Sequence, residues 1–468
     1  MENENDLSRC KIRLLDSIQK LGGNLTLTQE EELDYIAKLI IQSMTGTWRY
    51  FHTPEHIFEV GGEEDPVEIL SALFHDMIYM QVDFGINLNL SGYIYPFVRE
   101  DNNKLCIIND PGLAKIEYFQ ILLSIFGFTL GETLSPYSGQ NEFLSALIAV
   151  QCLSSYLSIE KLAQIATCIE ATIPFRKSIN GKSPYHILKT RLEEVKQSYS
   201  LPWSEKDINE ILKKSLRMAN RDVENFGNPN SVKFLDNTWN LMPETNHDLR
   251  TTTSYTIVGY RTSMLKMLNF LKTLKPEFIF HQYLDEPSDE KLEKLFKDTR
   301  KNLELSRIYL ESKILTVGIL EALSFRIGRN IPLSTLIGEI PVNGIIIPTL
   351  DHFLPVAENP YIPQNPIEEE VLLILTKGRN KDTTYDLKNS PIAAYLVNAI
   401  GFPEIERLFA ISIGFYENKI SAEEFLEECD SSVLDSIING IIKIFEIRTM
   451  NLKKITTEST DKRYDNRD

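Results

Sequence analysis

The stretch that most constrains this chain is Val67–Tyr79, VEILSALFHDMIY. It is apolar on nearly every face, the pattern of a helix buried at the centre of a helical domain. Yet it carries His75 and Asp76 side by side. A buried carboxylate beside an imidazole is costly unless something pairs with both. A divalent metal does so, because it neutralises the carboxylate and takes the imidazole lone pair. A plain His–Asp hydrogen bond at a helix–helix contact is the other solution, and the dipeptide alone does not choose.

The 468 residues predict two or three domains, with 43% hydrophobic and 25% charged residues to build an ordinary globular core. The net charge of −17 disfavours a nucleic-acid track or an anionic membrane surface. A small phosphorylated substrate stays compatible with it, since one site can be locally positive. The five cysteines are odd in number and form no CxxC, which argues for a reducing compartment and against thiolate zinc sites. The polar N-terminus, MENENDLSRCK, lacks the apolar core of a signal peptide, and no apolar run is long enough to span a bilayer. The expectation is a cytoplasmic protein without membrane partners.

Residues 1–45 read as helical, with a capping box at Thr28–Glu31. Trp48–Ile57, WRYFHTPEHI, then places Thr53 as an N-cap and Pro54 at the first helical position. His52 falls just before that helix and His56 in its first turn, two of only seven histidines in the chain. A short helix–turn–helix spacing lets His56, His75 and Asp76 converge. Residues 80–135 are rich in Asn, Gly and aromatics and read as an inserted segment of loops with room for a hairpin. A strongly apolar helix starts at Asn141, with Glu142 in its first turn, where an acid suits the helix dipole. Pro174 ends a helix, and the basic pair Arg176–Lys177 beside it either receives phosphate or caps the helix end.

Ser204 with Asp207 resembles a capping box for a helix whose inner face runs Ile208, Leu212, Ser215, Ala219, Asp222 and Phe226. Asp222 therefore falls on an apolar stripe behind small neighbours and wants a cation. Arg221, next to it in sequence, points elsewhere. One metal shared by His56, His75, Asp76 and Asp222 satisfies all four. Residues 236–283 read as helical core, with His281 a packed histidine. The composition turns charged around 285–289, residues 290–326 read as one amphipathic helix, a proline-punctuated stretch spans Pro332–Pro366, and 367–450 are helical again.

The ordered set His52, His56, His75-Asp76 and Asp222 resembles the HD superfamily of metal-dependent phosphohydrolases, and more distantly the cyclic-nucleotide phosphodiesterases. WRYFHTPEHI followed by LFHDMIY looks like the signature of the predicted HD phosphohydrolases, and NEFLSA at Asn141–Ala146 is similar to their Asn-Glu…Ser-Ala element. The resemblance covers about residues 30–230. It implies an all-α HD-type helical bundle over residues 1–285, carrying the 80–135 insertion. A mainly helical second domain at 286–455 and a disordered tail at 456–468 follow. It makes His56, His75, Asp76 and Asp222 ligands of a divalent ion (Mn, Mg, Fe, Ni or Zn), and His52 the general acid. Glu142 would orient His52 or water, while Arg49 or Arg176 would hold the phosphate. The expected activity is hydrolysis of a small phosphoester. Phe51 stands where the family has tyrosine, and ATIPFR stands where many relatives keep an acidic residue. The altered ATIPFR segment and the large 80–135 insertion support a second reading, a metal-stabilised regulatory module with little turnover whose C-terminal domain binds a partner protein or self-associates.

Overall fold

The computed structural model describes residues 2–23, 26–247, 249, 255–328, 331–338 and 348–464. The fold is all-α, with one small hairpin as its only sheet among the described residues. The chain divides into two compact units, residues 1–229 with 274–300, and residues 230–273 with 301–468. The division therefore does not follow a single cut near 285, because 230–273 belongs to the second unit.

The first unit begins with α1 (Glu2–Lys20), α2 (Leu27–Met44), α3 (Pro54–Gly61) and α4 (Pro66–His75). The cap of α2 is a capping box at Thr26 and Gln29, not at Thr28, so the helix starts about two residues before the expected point. The same rule, a hydroxyl followed three residues later by a side-chain acceptor, was satisfied earlier in the chain. Thr53 and Asp65 precede Pro54 and Pro66 as N-cap residues. Asp65 accepts hydrogen bonds from Val67 and Glu68, whereas Thr53 makes no side-chain cap. Both prolines sit where a missing N–H costs nothing.

The segment read as loops holds more regular structure than expected. It contains α5 (Met80–Asp83), α6 (Leu88–Ile94), β1 (Val98–Asp101), β2 (Lys104–Ile107) and α7 (Glu117–Phe126). The strands pair antiparallel from Val98↔Ile107 to Asp101↔Lys104. Asn102 and Asn103 turn between them at φ 51° and 60°, the left-handed pair that a two-residue hairpin needs. The apolar residues of α7 bury Phe119, Leu122 and Ile125 completely, so this part belongs to the core.

Helices α8 (Gln140–Leu153), α9 (Ile159–Ala171), α10 (Pro184–Ser198) and α11 (Glu205–Asp222) complete the bundle. Helix α9 is its centre and packs against α4, α7, α8 and α11. Its Ala163, Ala166 and Cys168 are small and buried, which lets these neighbours approach closely. The Ser204–Asp207 capping box starts α11 as expected.

In the second unit lie α12 (Ser231–Thr245) and α13 (Ile257–Thr273); the four-residue α14 (Pro276–Ile279) returns to the first. Helix α15 (Asp289–Ser324) begins in the first unit and continues in the second, followed by α16 (Ser334–Ile337), α17 (Pro366–Lys377), α18 (Pro391–Tyr416), α19 (Ala422–Glu427) and α20 (Ser431–Tyr464). Helix α18 is broken at Gly401, whose φ of 77° is a left-handed value and whose missing Cβ leaves room for the Tyr361 ring. The core of this unit is aromatic and polar at once. Trp239 Nε1 donates to Asp386 (2.7 Å), Tyr385 donates to the Trp239 carbonyl (2.6 Å), and Tyr255 donates to the Tyr385 carbonyl (2.7 Å). The tail expected to be disordered from 456 is helical to Tyr464, because extending an existing helix adds one hydrogen bond per residue without a new nucleus. Residues 465–468, and IPVNGIII at 340–347, lie outside the described residues. No described helix is long and apolar enough to cross a membrane, and all five cysteines are free.

Phe143 of α8 is fully buried among Phe119, Phe126 and Phe128. Phe143→Ala should cost about 3–5 kcal/mol of stability, read as a lower urea midpoint for the first unit's unfolding transition.

Candidate metal centre

Three helix termini build the site. His56 sits in the first turn of α3, held there by the Thr53–Pro54 start. His75 is the last residue of α4 and Asp76 its C-cap. Asp222 ends α11. The two carboxylates thus stand at helix C-termini, where the backbone dipole adds negative potential and favours a cation.

The four side chains converge as the sequence reading required. His56 Nε2 lies 3.1 Å from Asp222 Oδ1 and 3.4 Å from Asp76 Oδ2. His75 Nε2 lies 3.1 Å from Asp76 Oδ2 and 3.4 Å from Asp222 Oδ1. One donor atom from each residue falls within 4.8 Å of all the others. Atoms bound to one ion at about 2.0–2.2 Å stand roughly 3–4 Å apart, so the His–Asp separations match a shared ion. His75 Nδ1 lies 2.8 Å from the Ala72 carbonyl oxygen, which can only accept, so this nitrogen carries the proton. In the neutral ring the lone pair is then on Nε2, facing the carboxylates. His75 Nε2 and Asp76 Oδ2 are buried and make no hydrogen bond. Buried polar atoms are rarely left so, and a cation between them meets both.

Without a cation, protons do that work. Burial alone lowers the His56 pKa, but the hydrogen bond with Asp222 and the charges of Asp222 and Asp76 outweigh it and bring it to about 9. His75 is raised well above its usual value against the same burial penalty, chiefly by the charge of Asp76. Burial raises the two carboxyls, and the imidazoles overcome it, holding Asp222 down to about 2 and Asp76 well below its usual range.

The remaining predicted residues separate into two groups. His52 and Glu142 come to the site. The His52 ring is 5.5 Å from His56 and 4.7 Å from Tyr79, and its charge is felt by Asp76. Burial pushes the Glu142 carboxyl up to about 7, with the charges of Asp76 and Asp222 adding to it. The two arginines already have carboxylate partners. Arg49 forms a two-pronged ion pair with Asp83 (3.0 and 2.5 Å) and donates to the Asp76 carbonyl (2.9 Å). Arg176 donates to Glu170 (2.7 Å) and to the Ala171 carbonyl (3.3 Å). Arg221 does point away from Asp222, as the helix geometry demanded.

Sequence reasoning missed the residues that hold these in place. Glu68, buried on α4, accepts from Arg217 (2.7 Å) and Arg221 (2.5 Å) of α11, and Arg221 also donates to the Val60 carbonyl (2.7 Å). This network pins α11 to α3 and α4 and so positions Asp222. A carboxylate on an apolar helix face was the signal that exposed Asp222, and it applied equally to Glu68. Asn141 and Ser145 accept from the Met80 and Ile78 backbone N–H groups (3.3 and 3.0 Å) and fix the turn that follows Asp76. Comparison with protein-family models, with curated proteins and with solved structures finds no match to this chain.

Metal binding must expel the protons shared by the imidazoles and carboxylates. Mn²⁺ affinity should therefore rise with pH up to about 9, the His56 value in the metal-free chain. Calorimetry in buffers of different ionisation enthalpy should show proton release on binding at pH 7, and Asp76→Asn should abolish the binding.

Proposed function

We propose that the first unit is a metal-dependent phosphohydrolase of the HD type, acting on a small phosphorylated substrate. The observation that carries this reading is the buried pair His75 Nε2 and Asp76 Oδ2, both without a hydrogen bond inside a set of two imidazoles and two carboxylates. Imidazole with carboxylate and no thiolate suits a hard or borderline divalent ion held by His56, His75, Asp76 and Asp222. Such an ion supplies Lewis-acid activation of water and offsets charge on phosphoryl oxygens. The chain's own contribution is the proton. His52, beside the cluster and outside the ligand set, holds a proton for the departing oxygen. Glu142, with its carboxyl brought near neutrality, accepts or orients a hydrogen bond at the same face. Arg49 holds the Asp76 backbone in place and is engaged with Asp83, so a phosphate would reach it only in competition with that carboxylate.

That engagement favours the second reading, a metal-stabilised regulatory module. In it, the ion holds α3, α4 and α11 together and the two arginines serve packing alone.

The test is turnover across nucleotides, phosphomonoesters and phosphodiesters with Mn²⁺, Mg²⁺ or Ni²⁺. The wild type should hydrolyse one class, and Asp76→Asn should lose both metal and activity. His52→Ala should keep metal and fold while losing about 10²–10⁴-fold in rate. Silence across the panel with metal still bound would move the assignment to the regulatory module.

A further inference from the structure

The second unit contains a cavity of about 110 Å³ that the metal chemistry does not use. Its wall is mostly apolar, with Val317 and Leu320 of α15, Leu333 and Ile337 among the lining side chains. Three polar features interrupt that wall. The first is the Lys313 ammonium, buried on α15, which donates to Asp386 (2.8 Å) and to Ser390 Oγ (2.8 Å). An ammonium has three N–H donors, so one is left over. The second is the start of α18. Ser390 is its N-cap residue, but it makes no side-chain cap, and its hydroxyl instead accepts from Lys313. The first-turn residues Ile392 and Ala393 line the cavity at an N-terminus whose donors are not capped by a side chain. The third is Tyr260, only 2% exposed, which lines the cavity and whose hydroxyl lacks a well-formed hydrogen bond, although the Asp386 carboxylate acts on it.

A buried hydroxyl without a well-formed hydrogen bond and an uncapped helix start are both unfavourable states that one acceptor atom relieves. The formal charges on the wall choose what kind of acceptor. Lys313 is paired with Asp386, which also draws Arg379 (3.8 Å), and Asp351 is a second carboxylate of the lining, so the wall offers no cation without a carboxylate partner. A ligand carboxylate or phosphate would enter as an uncompensated buried charge. A hydrocarbon would leave Tyr260 and the helix N–H groups unmet. We propose that the second unit binds a small neutral molecule, with an apolar body and one carbonyl-type oxygen directed at Tyr260 and the start of α18. The volume limits the body to about the size of a single small ring, since a dry cavity of about 150 Å³ accommodates benzene.

Three probes of one ring size separate the possibilities: cyclopentanone, cyclopentanecarboxylate and cyclopentane. Each is titrated into the full chain, with saturation-transfer NMR as the readout. Cyclopentanone should bind saturably, and at least several-fold more tightly than the other two. Tyr260→Phe should weaken the ketone several-fold and leave cyclopentane unchanged. Val317→Phe, which fills the cavity, should abolish binding with the fold retained by circular dichroism. Preference for the carboxylate would overturn the neutral head group. Equal binding of ketone and hydrocarbon, or no effect of Tyr260→Phe, would overturn the role of the polar wall. Absence of saturable binding by all three would overturn the site.

Discussion

The first unit is organised around the cost of burying His75 and Asp76. Two carboxylates and two imidazoles meet at three helix ends, in a volume from which water is largely excluded. Neither sign of charge is tolerable there by itself. The groups therefore pair with each other, through protons in the metal-free chain and through an ion in the proposed one. That mutual need helps to tie α3, α4 and α11 together, and it explains why the strongly apolar α4 ends in polar residues.

Holding four donors within 4.8 Å requires that the helices carrying them cannot slide. Much of the surrounding polar structure serves that end. Glu68 grips Arg217 and Arg221, which fixes the end of α11. Arg49, pinned by Asp83, donates to the carbonyl of Asp76 itself. Asn141 and Ser145 of α8 hold the turn beyond it. A buried charged group with good partners contributes little net stability compared with an apolar one, but removing one partner is expensive. Such networks restrict the alternatives open to a fold, and here they surround the four-residue cluster.

The second unit shows the same economy without the histidines. Asp386 gathers Trp239, Lys313 and, at 3.8 Å, Arg379 around one carboxylate oxygen. Drawing Ser390 to Lys313 leaves the first turn of α18 without its side-chain cap. Stability is spent at the rim of a cavity, which is where a ligand can return it.

The sequence alone determined the all-α class, the helix starts at Pro54 and Ser204, and the four-residue cluster. Those features are local, or depend on a carboxylate or imidazole standing on an apolar helix face, and one chain of letters displays them. His52 was legible from its place just before the helix that carries His56, whereas Glu142 was singled out only by the resemblance. The carboxylate partner of Arg49 shows the limit. An arginine's reach is long and its partner is chosen by whatever carboxylate the fold brings near: Asp83 stands 34 residues from Arg49, whereas the Arg176–Glu170 pair spans only six. The membership of 230–273 in the second unit, the burial of α7 and the polar cavity beside α18 were likewise decided by tertiary packing. Each depends on contacts between segments far apart in sequence, and no local pattern encodes those distances.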